Sequence, residues 1–315
     1  METNSPGKST NPLYDCLIIG AGPAGMTAGI YAVRKGLKTL VIGKEVGGQV
    51  EKSGEIENYL GFGSSNGAEV TQKFHQHIDE FENLEHKEGV LVTSLKKNNG
   101  NFLVRTEQGD FTSKSVIIAS GRNPRKLGVP GEEQFKNKGV TYCEVCDAPL
   151  FRDKVTAVIG GGNSGLEAAV SLALLSPKIY ILNIDQELKG DEILTKKIES
   201  LKNVEVINNA QTLKIEGDKF VKSLTYRDRV SGQERKIDVE GVFIEIGYVP
   251  SNEFDKITKK DQWNQIEIDV DCRTSVLGVF AAGDVTNISF DQIIIAAGEG
   301  AKAALSAYQY LTRKE

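Results

Sequence analysis

The feature that most constrains this chain is a glycine spacing that occurs twice. Gly20-Ala21-Gly22-Pro23-Ala24-Gly25 and Gly160-Gly161-Gly162-Asn163-Ser164-Gly165 both carry glycine at positions one, three and six. The first glycine of such a hexapeptide makes a tight turn. The second lets the backbone approach a pyrophosphate, and the third lets a helix pack closely on a strand. The helix that follows offers the phosphate its free amide donors and the positive end of its dipole. A lone hexapeptide of this kind is weak evidence, but here each has the required context. Residues 13–20 form an apolar run that reads as a buried parallel strand, 25–35 as an Ala-rich helix ending near Gly36, and 39–42 as the next strand. Residues 156–159, 165–175 and 179–182 repeat that order. Two such βαβ units, about 140 residues apart, predict that one chain holds two nucleotides.

The 315 residues favour two domains. Between the units the pattern predicts a helix over 69–82 and strands over 90–95 and 101–106 joined by a polar loop, 96–100. A strand over 116–119 then runs into Gly121. After the second unit come a hairpin (220–227 and 234–239, turning at Ser231-Gly232), strands 241–246 and 278–282, and a long helix over 291–310. The expected fold is α/β, with two Rossmann-like nucleotide-binding domains and the second inserted into the first. Residues 1–121 and 248–315 make one domain, and 122–247 the other.

A net charge of −5 leaves no basic footprint for nucleic acid. No apolar run approaches the roughly 18 residues of a membrane span. Residues 1–11 read as a short disordered leader, and the apolar run behind them is too short for a signal-peptide core, so a cytoplasmic location is expected.

The four cysteines are Cys16, Cys143, Cys146 and Cys272. In a long chain without a secretion signal, catalysis or metal binding is favoured over structural staples. Cys143-Glu144-Val145-Cys146 could close a disulfide or share a zinc ion with a second ligand pair. Zinc needs two more ligands, yet the other cysteines are isolated and His75, His77 and His86 lie far off in sequence. No metal site is expected. A redox pair fits better, since it requires a thiolate with access to its target. Asp147, next in line, could move the proton or merely serve as a turn or cap residue. Cys16 reads as a small core residue, and neither it nor Cys272 is given a redox role.

Taken in order, the first fingerprint, Gly47-Gly48-Gln49, Ala119-Ser120-Gly121, the Cys143/Cys146/Asp147 centre, the second fingerprint and Gly283-Asp284 resemble the low-molecular-weight thioredoxin reductases over nearly the whole chain. The resemblance implies FAD held by Gly20, Gly22, Pro23, Ala24, Gly25, Gly47, Gly48, Gln49, Asn58, Val92, Ala119, Ser120, Gly121, Gly283 and Asp284. Gln292 and Ile293, at the start of the last helix, would face the flavin. It further implies that Cys146 exchanges electrons with the flavin, that Cys143 attacks the partner disulfide, that Asp147 is the acid–base residue, and that the protein is a homodimer. Gly160, Gly162, Asn163, Ser164 and Gly165 would hold a pyridine nucleotide.

The chain departs from NADPH-dependent members at the end of the second-fingerprint strand. Their pattern there is His-Arg-Arg, three residues, then Arg, and arginines suit a 2′-phosphate. This chain has Asn183-Ile184-Asp185 and then Lys189. Asp185 would repel the phosphate, so NADH rather than NADPH is expected, with Asp185 or Asn183 bonding the ribose. Parts of the chain resemble the reductase portion of the alkyl hydroperoxide reductase flavoprotein, without its preceding thioredoxin-like domain. Electrons would then pass to a separate thioredoxin- or glutaredoxin-like protein. Two alternatives stay open: reduced ferredoxin as donor, or a dithiol oxidase that passes electrons to oxygen.

Overall fold

The computed structural model describes residues 12–53, 55–56, 58–63, 65–142, 144–288 and 290–313, with only the backbone of residues 52, 55, 145 and 146. The chain forms two compact units. One is drawn from Met1–Lys52, Ile56–Arg122 and Pro250–Glu315, the other from Ser53–Glu55 and Asn123–Val249.

In the first unit a seven-stranded sheet runs in the order Leu84–Glu88, Thr39–Val46, Leu13–Ala21, Gly109–Ile118, Asn101–Thr106, Val92–Asn98, with Val279–Ala281 also pairing with Gly109–Ile118. Strand Leu13–Ala21 is parallel to both neighbours. Its side chains feed two cores. Cys16 and Ile18 pack with Ala28, Ala32 and Ala303, while Leu17 and Ile19 pack with Leu40, Ile42 and Phe102. A stretch covered on both faces must be apolar, which is why residues 16–19 read as a continuous run, while Asp15 before them pairs with Lys114.

Helix Pro23–Arg34 ends in a Schellman motif. Gly36 takes φ +78°, its N–H donates to Val33 O, and the Leu37 N–H donates to Ala32 O. Helix Gly67–Asp79 opens with a capping box between Asn66 and Glu69. The last helix, Ile293–Thr312, crosses Pro23–Arg34 almost backbone to backbone, since a Cβ on Gly300 would lie 2.0 Å from Ala24 O. Ala296, Ala303 and Ala307 keep that buried face small.

The expected loop at 96–100 contracts to Asn99-Gly100. Both residues have positive φ (48° and 82°), as a two-residue hairpin turn requires, and Asn98 pairs with Asn101. The polar lysines there lie on an exposed stretch of strand. Edge strand Leu84–Glu88 was not expected from the pattern. Only Leu84 in it is buried, so no alternation marks it.

The second unit is built on a parallel sheet in the order Val140–Thr141, Gly241–Ile244, Thr156–Ile159, Ile179–Leu182, Val204–Ile207. Helices Asn163–Leu172 and Glu192–Ser200 contribute Leu166, Leu172 and Ile198 to the core on one face. An antiparallel sheet, Ala210–Gly217, Val221–Asp228 and Glu234–Asp238, contributes Ile215, Leu224 and Tyr226 to the core on the other. Among the described residues, no helix is long and apolar enough to cross a membrane.

Candidate functional site

The two glycine turns have the same stereochemistry. Gly20 has φ +119°, and a Cβ there would lie 2.1 Å from Ala119 O. Gly160 has φ +137°, and a Cβ there would lie 2.1 Å from Glu245 O. The third glycines are as confined: a Cβ on Gly25 would come within 1.8 Å of Gly20 O, and one on Gly165 within 2.2 Å of Gly160 O. The middle glycines are open. Nothing comes nearer than 4.0 Å to a Cβ on Gly22, and nothing lies within 4 Å of one on Gly162. Two glycines in each turn are thus required by the fold, and the middle one keeps a surface free for something that must come close to the backbone. Each turn caps a helix with no side-chain cap bond and no acid in its first turn, which leaves the amides free.

Around the first turn the structure gathers most of the residues expected there. The Gly47 N–H donates to Ala21 O, and Gln49 Nε2 donates to Arg122 O. Asn58 Nδ2 donates to Gln292 Oε1 at 3.0 Å. Gly283, at φ +75°, fits between Ala24 and Ala296, so Gly283-Asp284 lies where two helix N-termini meet. Ser120 Oγ and Thr71 Oγ1 are buried with no hydrogen-bond partner in the protein. Val92 differs: its side chain is spent in the core cluster that holds Leu40 and Ile42.

Several further participants carry no sequence motif of their own. Arg122 donates to Asp291 at 2.6 Å and lies 3.6 Å from Asp284. Burial, together with the Asp291 charge, holds the Asp284 carboxyl above its ordinary range against the pull of Arg122. Glu299, on the last helix, accepts the Gly283 N–H at 3.0 Å. Arg122 directly follows the Ala119-Ser120-Gly121 motif, and that adjacency was the one available signal.

In the second unit Asn183 is only 2% exposed. Its Nδ2 donates to Asp185 O, Glu187 O and Asn208 Oδ1. Its amide is committed to shaping the loop, which leaves Asp185 as the polar group at the strand end. Lys189 pairs with Asp185 at 2.7 Å. Asn163 and Ser164 are exposed at the helix start, and Asn163 exchanges hydrogen bonds with Asp191.

Cys143 lies outside the described residues, as does the side chain of Cys146, whose backbone belongs to the helical turn Glu144–Asp147. Asp147 makes no cap bond to the following turn, and its carboxylate accepts a short hydrogen bond from the Thr141 hydroxyl. Cys16 and Cys272 are buried and free, and burial pushes each thiol up to about 12.

Three carboxylates cluster beside the redox segment. Burial raises Glu245 to about 8, helped by the Glu144 and Glu167 charges and opposed by the Glu144 N–H that donates to it. Burial also raises Glu144. Glu245 therefore favours its protonated form. That contribution to stability is complete below the ordinary value near 4.5 and is lost as pH rises through about 8. Glu245→Gln is expected to stabilise the chain at pH 9 by about 1–2 kcal/mol and to change little at pH 5. Urea melts at both pH values test this, and equal shifts at the two would refute it.

Residues 14–302 match the family described as "Pyridine nucleotide-disulphide oxidoreductase". The chain is 43% identical over 305 residues to the alkyl hydroperoxide reductase F subunit of Escherichia coli, covering 95% of this chain and 58% of that protein. It is 42% identical over 306 residues to the NADH dehydrogenase of Bacillus subtilis, covering 95% of this chain and 59% of that one. The chain therefore spans little more than half the length of these relatives. The thioredoxin reductase of Lactococcus lactis superimposes with a TM-score of 0.79 at 36% identity, covering 95% of this chain and 99% of that one. With its two Rossmann-like units, the chain belongs to the pyridine nucleotide-disulphide oxidoreductases, among the low-molecular-weight thioredoxin reductase and alkyl hydroperoxide reductase F type.

Proposed function

We propose that this chain is a FAD-dependent disulfide reductase, working as a homodimer. It would oxidise NADH and deliver two electrons through Cys143 and Cys146 to the disulfide of a thioredoxin- or glutaredoxin-like protein. The observation that carries the reading is the paired glycine stereochemistry, with two turns jammed against backbone at both ends and open only in the middle.

The residues present fit a flavin dinucleotide in the first unit. The amides at the start of helix Pro23–Arg34 would hold its pyrophosphate. The open surface at Gly22 and the unpartnered Ser120 hydroxyl suit a close polar ligand, and Asp284, steadied by Arg122, would accept from its hydroxyls. Gln292, oriented by Asn58, and the Ile293 amide would lie at its far end. Once bound, FAD supplies the hydride acceptor that couples a two-electron donor to a disulfide.

In the second unit Gly160, Gly162, Asn163, Ser164 and Gly165 would bind the pyrophosphate of NADH, and Asp185 would accept from a ribose hydroxyl. Cys146 would be the flavin-facing sulfur. Cys143 would attack the partner disulfide, and Cys146 would then resolve the mixed disulfide. Asp147, positioned by the Thr141 hydroxyl, would move the proton. The sum is NADH, a proton and a disulfide converted to NAD and a dithiol.

Anaerobic addition of one equivalent of NADH or NADPH to the yellow protein tests the donor. Fast flavin bleaching by NADH and slow bleaching by NADPH are expected. If dithionite bleaches the flavin and neither nucleotide does, the NADH reading fails and reduced ferredoxin becomes the donor to try. Asp185→Ala should raise KM for NADH about tenfold with kcat little changed. It should also improve NADPH as a donor, because Lys189 loses its partner. Steady-state kinetics with both nucleotides check this, and an unchanged NADH KM would remove Asp185 from the site.

A further inference from the structure

Away from both glycine turns, helix Gly67–Asp79 and edge strand Leu84–Glu88 bring together four side chains that the proposed reaction does not use. His75 and Asp79 stand one helical turn apart on one face. His86 and Glu88, two residues apart, share one face of the strand. His75 Nε2 lies 3.3 Å from Glu88 Oε1. His86 Nε2 lies 3.8 Å from Asp79 Oδ1 and 3.9 Å from Glu88 Oε1. One ligand atom each from His75, Asp79 and His86 all fall within 4.8 Å of one another. The two imidazoles meet edge to face, with ring centroids 6.2 Å apart.

We propose that His75, Asp79, His86 and Glu88 bind one divalent transition-metal cation of the zinc type, which clamps the helix to the edge of the sheet. Tetrahedral bonds of about 2.0–2.1 Å put neighbouring donor atoms about 3.4 Å apart, so the observed 3.3–3.9 Å contacts need only small side-chain adjustments to close on an ion. Two neutral imidazoles and two carboxylates carry a charge that a divalent cation cancels. Mixed nitrogen and oxygen donors favour zinc, cobalt or nickel, whereas calcium and magnesium favour all-oxygen shells with more ligands. The histidine side chains are 28% and 31% exposed, which leaves an ion a path in from water. His77, the chain's third histidine, lies two residues from His75 on helix Gly67–Asp79 and packs against Phe81.

The test is a zinc titration of the 315-residue flavin-loaded chain with its accessible thiols blocked, in competition with a chromophoric chelator. The expected result is one equivalent bound with micromolar Kd and a raised Tm. His86→Gln and Asp79→Asn should each weaken binding about 30-fold or more, and His77→Gln should leave it unchanged. Cobalt should give visible d–d bands without a sulfur charge-transfer band. The proposal is overturned if zinc binds no more tightly than about 1 mM, if binding survives His86→Gln, or if magnesium binds as well as zinc.

Discussion

Cys143→Ser is expected to lower turnover with a thioredoxin disulfide by about 1000-fold or more while leaving the flavin bound and reducible by NADH. A serine hydroxyl is almost wholly protonated near neutral pH, so the step in which a thiolate attacks the partner sulfur is lost. The residues proposed to hold the flavin belong to the first unit, whereas Cys143 falls in the segment of the second. Of the three remaining cysteines, Cys16 and Cys272 cannot substitute, because both are buried with their thiols held near 12. Two readouts on one sample decide the matter: flavin absorbance under NADH, and release of partner thiols. Partner reduction that persists in this variant would move the attack to another sulfur, and Cys146→Ser would then be the comparison to make.

The second large effect separates two glycines in one turn. Gly25→Ala places a methyl group 1.8 Å from the Gly20 carbonyl oxygen, so helix Pro23–Arg34 must lift off its strand. We expect a loss of about 3 kcal/mol in stability and purified protein with flavin well below stoichiometric. Gly22→Ala meets nothing nearer than 4.0 Å and should leave the flavin-free protein within about 0.5 kcal/mol of the parent. Its flavin affinity should nevertheless fall about tenfold or more, because the methyl group occupies the surface where the pyrophosphate must approach. Flavin content, together with melting of the flavin-free proteins, distinguishes the two. If Gly22→Ala keeps full flavin affinity, the cofactor does not sit on this turn.

Sequence periodicity reached the parts of the fold that are covered on both faces. Thr156–Ile159 and Ile179–Leu182 are inner strands of a parallel sheet, and their largely apolar runs matched the observed bounds. Leu84–Glu88 escaped because an edge strand with one buried residue has no period to read. The glycines of both turns were legible because their spacing is a local pattern, although Gly20 and Gly160 are also pressed by the distant carbonyls of Ala119 and Glu245. The Arg122, Asp284 and Asp291 group was not, because its members come from positions 122, 284 and 291 and nothing local ties the first to the others. Asn183 shows the converse difficulty. A polar residue at a strand end suggested ligand binding, but its amide bonds two loop carbonyls and the Asn208 side chain. The His75, Asp79, His86 and Glu88 group was hidden for a third reason: helix and strand periods must both be known before the four can be seen to face one another.

The close crossing at Gly300 and Ala24 bears on the order in which the chain can fold as it is made. Most of the second unit is one continuous segment, Asn123–Val249, and its sheet can assemble once that segment has left the ribosome. The first unit cannot. Its sheet takes Val279–Ala281 and its first helix packs against Ile293–Thr312, so the opening βαβ segment emerges long before the residues that cover it. At about 5–20 residues per second, that apolar helix face waits on the order of ten seconds or more without its cover. The nascent βαβ segment is therefore the stage at which a chaperone has something to hold.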